Sequence, residues 1–138
     1  MRTDISSNEP RALIIEDEAL IAEELRERLA GLGFSVIAAV DSAEEGVEIA
    51  TRERPDLVLM DIRLKGEKDG VQAAQEIRQQ VDLSIVYVSA HSDRLTVERA
   101  KRTEHDGFLL KPFHRRELQS TIQIALERRA IRARRKTQ

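Results

Sequence analysis

Residues 57–61 read Leu57-Val58-Leu59-Met60-Asp61, four apolar residues closed by an acid. Pro55-Asp56 precedes the run, and a charged loop follows it. A short apolar run between polar clusters suits a strand buried on both faces of a parallel sheet. Asp61 then sits at the carboxyl end of that strand. In open parallel sheets, ligands bind beyond the carboxyl ends of the strands, so Asp61 is a candidate functional residue.

The same pattern recurs on both sides. Ala12-Leu13-Ile14-Ile15 is a short apolar run that ends in Glu16-Asp17-Glu18. Ile21, Leu25, Leu29 and Leu32 then recur at helical spacing, with Gly31 and Gly33 as the stop. Phe34 to Val40 reads as a second strand. Ser42-Ala43-Glu44-Glu45 has the form of a capping box, in which the serine oxygen accepts from a free backbone N–H while Glu45 reaches back. A helix is predicted from there to about Arg54, broken by Pro55. Beyond Asp61, a loop with two glycines leads to a helix from about Val71 to Gln80. Ser84 to Val88 is the fourth strand, and a helix follows from about Asp93 to Thr103. Gly107-Phe108-Leu109-Leu110 is the fifth strand, and the last helix carries Leu118, Ile122, Ala125 and Leu126 on one face. Strand and helix alternate five times. Right-handed crossovers then leave little but an α/β fold, a doubly wound parallel sheet with helices on both faces.

The chain of 138 residues suits one domain with its own core. The absence of cysteine excludes a disulfide framework and a thiolate metal site, and fits a reducing compartment; a cytoplasmic location is the expectation. Residues 1–10, MRTDISSNEP, lack the apolar core of a signal peptide and read as a flexible arm. No apolar run approaches the ~18 residues of a membrane span. The net charge of −2 hides an asymmetry. Arg128, Arg129, Arg132, Arg134, Arg135 and Lys136 form a basic tail without an acid, which leaves about −8 on the rest. An acidic body argues against general nucleic-acid binding. For the tail, a solvated helix end is the preferred reading; a contact with a partner, nucleic acid or membrane surface, or a helix running on toward an output domain, are the others.

The strand ends gather chemistry. Glu16-Asp17 close the first strand, Asp61 the third, Ser89-Ala90 the fourth and Lys111-Pro112 the fifth. The predicted fold brings three acids, a hydroxyl and a lysine to one edge. Carboxylates at close range repel, and a hard cation relieves that repulsion. Oxygen ligands without His or Cys point to Mg²⁺. A carboxylate beside such an ion can attack a phosphoryl group, with the metal and a lysine neutralising the charge that spreads in transfer. Each residue also has a plainer reading: a solvated loop acid, a turn hydroxyl, a lysine that ends a strand, a core ring at Phe108.

Five motifs, IIEDE (14–18), LVLMDIRL (57–64), DG (69–70), VSA (88–90) and GFLLKPF (107–113), stand in order at the ends of the right elements. Together they resemble the receiver domains of two-component signalling over about residues 11–127, with 128–138 as a basic helical extension. The resemblance implies a flavodoxin-like sheet of order 2-1-3-4-5 flanked by five helices. It implies that Asp61 accepts a phosphoryl group from a sensor histidine kinase, a phosphotransfer protein or a small phosphodonor. Asp17 would ligate Mg²⁺ directly with Asp61, Glu16 through water, and the backbone carbonyl of Arg63 would complete the protein ligands. Ser89, beside Ala90, would be the switch hydroxyl, Lys111 the partner of a phosphoryl oxygen, and Phe108 the ring that turns inward. The Lys111-Pro112 bond is cis in the family.

This sequence departs from the family pattern in places. Glu16 stands where aspartate is common. The loop to Asp69-Gly70 lacks the usual methionine-proline and is one residue longer. His114 stands where a stronger helix cap is frequent, so a less defined first turn is expected. Arg63 and His91 are expected to tune the phosphoryl lifetime, and His105 and His114 to lie at the surface. With no recognisable DNA-binding segment after residue 127, output is expected through a downstream protein target, a homodimer or relay of the phosphoryl group, with the face of the fourth helix, fifth strand and fifth helix as the expected surface. A Mg²⁺-dependent aspartyl-phosphate phosphohydrolase is the enzymatic alternative. Arg63 occupies the place where such enzymes commonly carry a second acid, so a non-enzymatic receiver is preferred. A degenerate receiver that works unphosphorylated is the third reading.

Overall fold

The apolar runs become five strands: β1 (Arg11–Ile15), β2 (Ser35–Val40), β3 (Leu57–Asp61), β4 (Ser84–Ala90) and β5 (Gly107–Lys111). Between and after them lie α1 (Ala19–Gly31), α2 (Ala43–Glu53), α3 (Gly70–Gln80), α4 (Arg94–Lys101) and α5 (Arg115–Thr137). The computed structural model describes residues 9–90, 94–102 and 105–137. All strand pairs are parallel, in the order β2-β1-β3-β4-β5. The chain steps outward from β1 to β2, then returns to β3 on the other side of β1. That reversal opens a crevice at the carboxyl ends of β1 and β3.

Alternation along the strands divides the core into two layers. Leu13, Ile15, Val58, Met60, Ile85 and Tyr87 pack with residues of α2, α3 and α4, including Ala50, Ile77 and Ala100. Ala12, Ile14, Leu57, Leu59, Val86 and Val88 pack with Leu25 and Leu29 of α1 and Leu118, Ile122 and Ala125 of α5. Both faces of the sheet are therefore covered, and all five residues of β3 are buried. Truncating one of these side chains, such as Leu59→Ala, costs about 2–5 kcal/mol.

Local chemistry sets the helix ends. At the end of α1, Gly33 takes φ +93 and Phe34 N–H returns to Leu29 O at 3.0 Å. Ser42 Oγ accepts from Glu45 N–H at 3.2 Å, while Glu45 reaches the serine hydroxyl rather than its backbone N–H. Both halves of a capping box form instead at Asp69–Gln72. Arg54 closes α2 in a left-handed conformation, φ 48, with its N–H on Ala50 O at 3.0 Å, and Pro55 keeps the helix from continuing. The weak cap at His114 is offset by Glu117, which accepts from His114 N–H at 2.9 Å, so α5 begins with a defined turn.

Two further expectations change. β4 runs two residues past Val88 because Ser89 and Ala90 stay in register with Leu110 and Lys111. The predicted ends of the fourth helix, Asp93 and Thr103, lie outside the described residues, as do residues 1–8 of the arm. The basic tail is not simply a solvated end. It continues α5, and its inward face is tied to acids at the base of the sheet. Arg129 meets Asp56 at 3.0 Å. Arg132 pairs with Asp106, lies 3.4 Å from Asp82, and donates to Leu83 O at 3.2 Å. Arg128 and Arg135 remain exposed.

Candidate functional site

Register alone brings the acids together. Ile15 pairs with Met60, so Glu16 and Asp61 follow side by side from adjacent strands. Carboxylate oxygens of Glu16, Asp17 and Asp61 lie within 4.8 Å of one another. Glu16 and Asp61 are buried, whereas Asp17 is half-buried. Lys111, at the end of β5, crosses to them: its Nζ is 3.1 Å from Glu16, 3.6 Å from Asp61 and 3.9 Å from Glu18. Arg63 N–H donates to Asp61 Oδ1 at 3.2 Å, and Glu18 N–H to Glu16 Oε2 at 3.1 Å.

The electrostatics are unbalanced. Burial, followed by a hydrogen bond to Glu16 and the repulsion of its charge, pushes the Asp61 carboxyl up to about 8. Lys111 and the Arg63 N–H oppose this without overcoming it. Burial disfavours the charged Lys111, but attraction to Asp61 and Glu16 leaves its ammonium above the ordinary lysine value. Without a metal, the Asp61 carboxyl therefore favours its protonated form. A hard divalent cation fits where such acids crowd, since the donors are all oxygens and the cation can replace the proton on Asp61. Glu16, Asp17 and Asp61 could hold such an ion.

Ser89 and Ala90 lie at the end of β4, one strand from Asp61, whose register partner is Val88. The Ser89 hydroxyl is buried and makes a long 3.4 Å bond to Ala90 O. Phe108 is outside this group. It is half-buried on β5, with its ring 6.2 Å from that of Tyr87. The Lys111–Pro112 peptide bond is cis. His91 lies outside the described residues. His105 is not a bare surface residue: its ring is 5.3 Å from Tyr87 and 6.4 Å from Phe108.

Asp69-Gly70 has a structural role that its place in the sequence motif does not state. Gly70 N–H donates to Ile62 O at 2.7 Å. A Cβ at Gly70 would lie 2.1 Å from Asp61 O and 2.8 Å from Ile62 Cα. Only glycine lets α3 start against the backbone of Asp61. The signal was present in the pair itself, an N-cap acid followed by glycine, with Gln72 three residues after Asp69. Lys65 bridges to Ser42 across the longer loop, and Lys68 pairs with Glu76.

Fold and site together define a flavodoxin-like protein with a buried acidic pocket and a crossing lysine at the switch point of its sheet. The chain belongs to the response regulator receiver domain family, matched over residues 12–123, and so to two-component signalling. It is similar to the transcriptional regulatory protein PdtaR of Mycobacterium tuberculosis, 39% identical over 127 residues that cover 91% of this chain and 62% of that protein. Among solved structures it resembles the signal receiver domain of a modulated diguanylate cyclase from Desulfovibrio desulfuricans. The TM-score is 0.84 at 36% identity, covering 91% of this chain and 99% of that one. It also resembles the receiver domain of the sensor histidine kinase PA1611 from Pseudomonas aeruginosa, with TM-score 0.78 at 30% identity and coverage of 86% and 98%. That structure has a magnesium ion coordinated in its active site cleft. The chain spans less than two thirds of the length of the curated relatives it matches. No described helix is long and apolar enough to cross a membrane.

Proposed function

We propose that Asp61 accepts a phosphoryl group and that its phosphorylation switches a protein-binding surface. The observation that carries this reading is the buried Asp61 carboxylate, set between Glu16 and the Lys111 ammonium at the sheet's switch point. In the transfer, a carboxylate oxygen of Asp61 bonds to phosphorus as the bond from phosphorus to the donor's imidazole nitrogen breaks. The electron pair of that bond stays on the nitrogen. Asp61 must be ionised to attack, which Lys111 and Arg63 N–H favour. Lys111 then pairs with a phosphoryl oxygen, and Ser89 turns from its long bond to Ala90 O to donate to another. A magnesium ion held by Asp17, Asp61, the Arg63 carbonyl and, through water, Glu16 would screen charge between acceptor and donor.

A macromolecular donor has to approach where Asp61 opens to the surface. Leu20, 88% exposed on the first turn of α1, and a cavity of about 340 Å³ lined by Ile21, Glu24, Lys111, Pro112 and Phe113 border that approach. A helix of a sensor histidine kinase or phosphotransfer protein suits this rim, which is apolar apart from Glu24 and Lys111. Output belongs to the α4–β5–α5 face, where Leu95 and Leu110 are exposed. Its occupant is a downstream protein target or a second copy. Residues 11–127 form the signalling unit, with a basic extension after them whose residues 128–137 continue its last helix. Arg63 in place of a second acid argues for one transfer per protein rather than turnover. Arg63, with His91, tunes the phosphoryl lifetime.

The test is incubation with a small phosphodonor, with and without Mg²⁺, read by intact mass. A Mg²⁺-dependent adduct that Asp61→Asn abolishes is expected. No adduct under any condition would favour a degenerate receiver, and turnover of a metabolite phosphate would favour a phosphohydrolase.

A further inference from the structure

Asp69 does two things at once. Its Oδ1 accepts from Gln72 N–H at 2.9 Å, capping α3. The same carboxylate receives the guanidinium of Arg99 from α4, with Nη1 2.7 Å from Oδ2 and Nη2 3.3 Å from Oδ1. This two-pronged geometry is the stronger form of a carboxylate–guanidinium contact. It joins residues 30 positions apart. The two ends of the contact lead to different parts of the site. On one side, Gly70 follows Asp69 and presses directly on the backbone of Asp61 and Ile62. On the other, α4 is the helix that follows β4, the strand carrying Ser89.

We propose that the Arg99–Asp69 pair is a positioning latch, which ties α4 to the loop beyond the phosphoacceptor in the unphosphorylated protein and opens when α4 shifts. The inference rests on the reading of Asp61 as phosphoacceptor and Ser89 as its switch. Drawing Ser89 toward a phosphoryl group pulls the chain that enters α4, while Arg99 holds α4 to the start of α3. A contact made in one state and lost in the other biases the equilibrium toward the first. A partly exposed pair of this geometry shifts such an equilibrium about two- to fivefold. Neither residue touches the phosphoryl group, so both act through the elements they position.

The variants separate the latch from the cap. Asp69→Asn keeps the capping oxygen, because asparagine caps about as well as aspartate, but loses the charge. Arg99→Ala removes the fork, and Arg99→Lys keeps the charge without its planar geometry. The experiment follows phosphoryl uptake by the full chain from acetyl phosphate with Mg²⁺, by intact mass. Asp69→Asn and Arg99→Ala should each raise the uptake rate roughly two- to fivefold. The double variant should gain no more than either single, and Arg99→Lys should fall between wild type and Arg99→Ala. Unchanged or slower uptake, additive gains in the double variant, or lost thermal stability without faster uptake would overturn the latch. An adduct on wild type with unaltered variants removes this inference alone; no adduct on wild type removes the phosphoacceptor reading and the latch with it.

Discussion

Arg132→Ala would remove one of two guanidiniums from a buried carboxylate at the base of the sheet. Asp106, whose side chain is 1% exposed, pairs with Arg78 and Arg132 and accepts from Ile85 N–H at 2.9 Å. Stripping a buried ion of its partner costs about 3–5 kcal/mol. Here Arg78 stays behind, and the Arg132 side chain is 22% exposed, so the expected loss is about 1–2 kcal/mol. In a domain of this size that lowers Tm by about 3–8 °C. Asp106→Ala is the harsher change. It leaves the Arg78 guanidinium and the Ile85 N–H without their shared acceptor, and about 3–5 kcal/mol is expected. Equilibrium urea unfolding of wild type, both single variants and the double variant measures the coupling directly, with about 1 kcal/mol predicted between the two positions. An Arg132→Ala protein within about 0.3 kcal/mol of wild type, with no coupling to Asp106, would refute the docked extension. The basic tail would then be a solvated appendage.

Gly70→Ala forces a methyl group onto the backbone of Asp61 and Ile62; a loss of about 1–3 kcal/mol is expected, with phosphoryl uptake reduced, and urea unfolding beside intact mass checks both. The raised Asp61 pKa fixes a sign for pH dependence. The folded protein keeps a proton that the unfolded chain releases above the ordinary aspartate value of 3.8, so without metal this group lowers stability as pH rises toward about 8. Mg²⁺ has to displace that proton, so the Tm gain on adding Mg²⁺ should be larger at about pH 8.5 than at about pH 6; a gain that shrinks with rising pH would contradict this. Lys111→Ala removes the cation that favours ionised Asp61, so the carboxyl should titrate higher still, as carbon-detected NMR would read, and phosphoryl uptake at neutral pH should fall about tenfold or more.

Much of this molecule is written locally. Each apolar run from Ala12 to Leu110 is short and closed by a residue that cannot be buried without a partner, so strands, order and strand-end chemistry follow from adjacent residues. Glu16, Asp61 and Lys111 converge because parallel register leaves them little choice. What was not legible depends on pairs remote in sequence. Asp106 precedes an ordinary strand, and nothing near it announces Arg78 and Arg132, which come from two different helices. The basic tail therefore read as solvated, since its acids lie at positions 56, 82 and 106. Asp69 is legible as a helix start, but nothing near it announces Arg99, 30 positions further on. The extra length of β4 is a property of its neighbour, β5, and not of Ser89 or Ala90 themselves.

The most direct test of the account locates the phosphoryl bond. Borohydride reduces an acyl phosphate to an alcohol, so treating the phosphodonor-reacted protein and sequencing its peptides by mass spectrometry marks the acceptor. Homoserine at position 61, formed only when Mg²⁺ was present, is the predicted result. Reduction at position 17 or 16 in its place, or an intact phosphate on Ser89, would contradict the assignment of Asp61 as the phosphoacceptor.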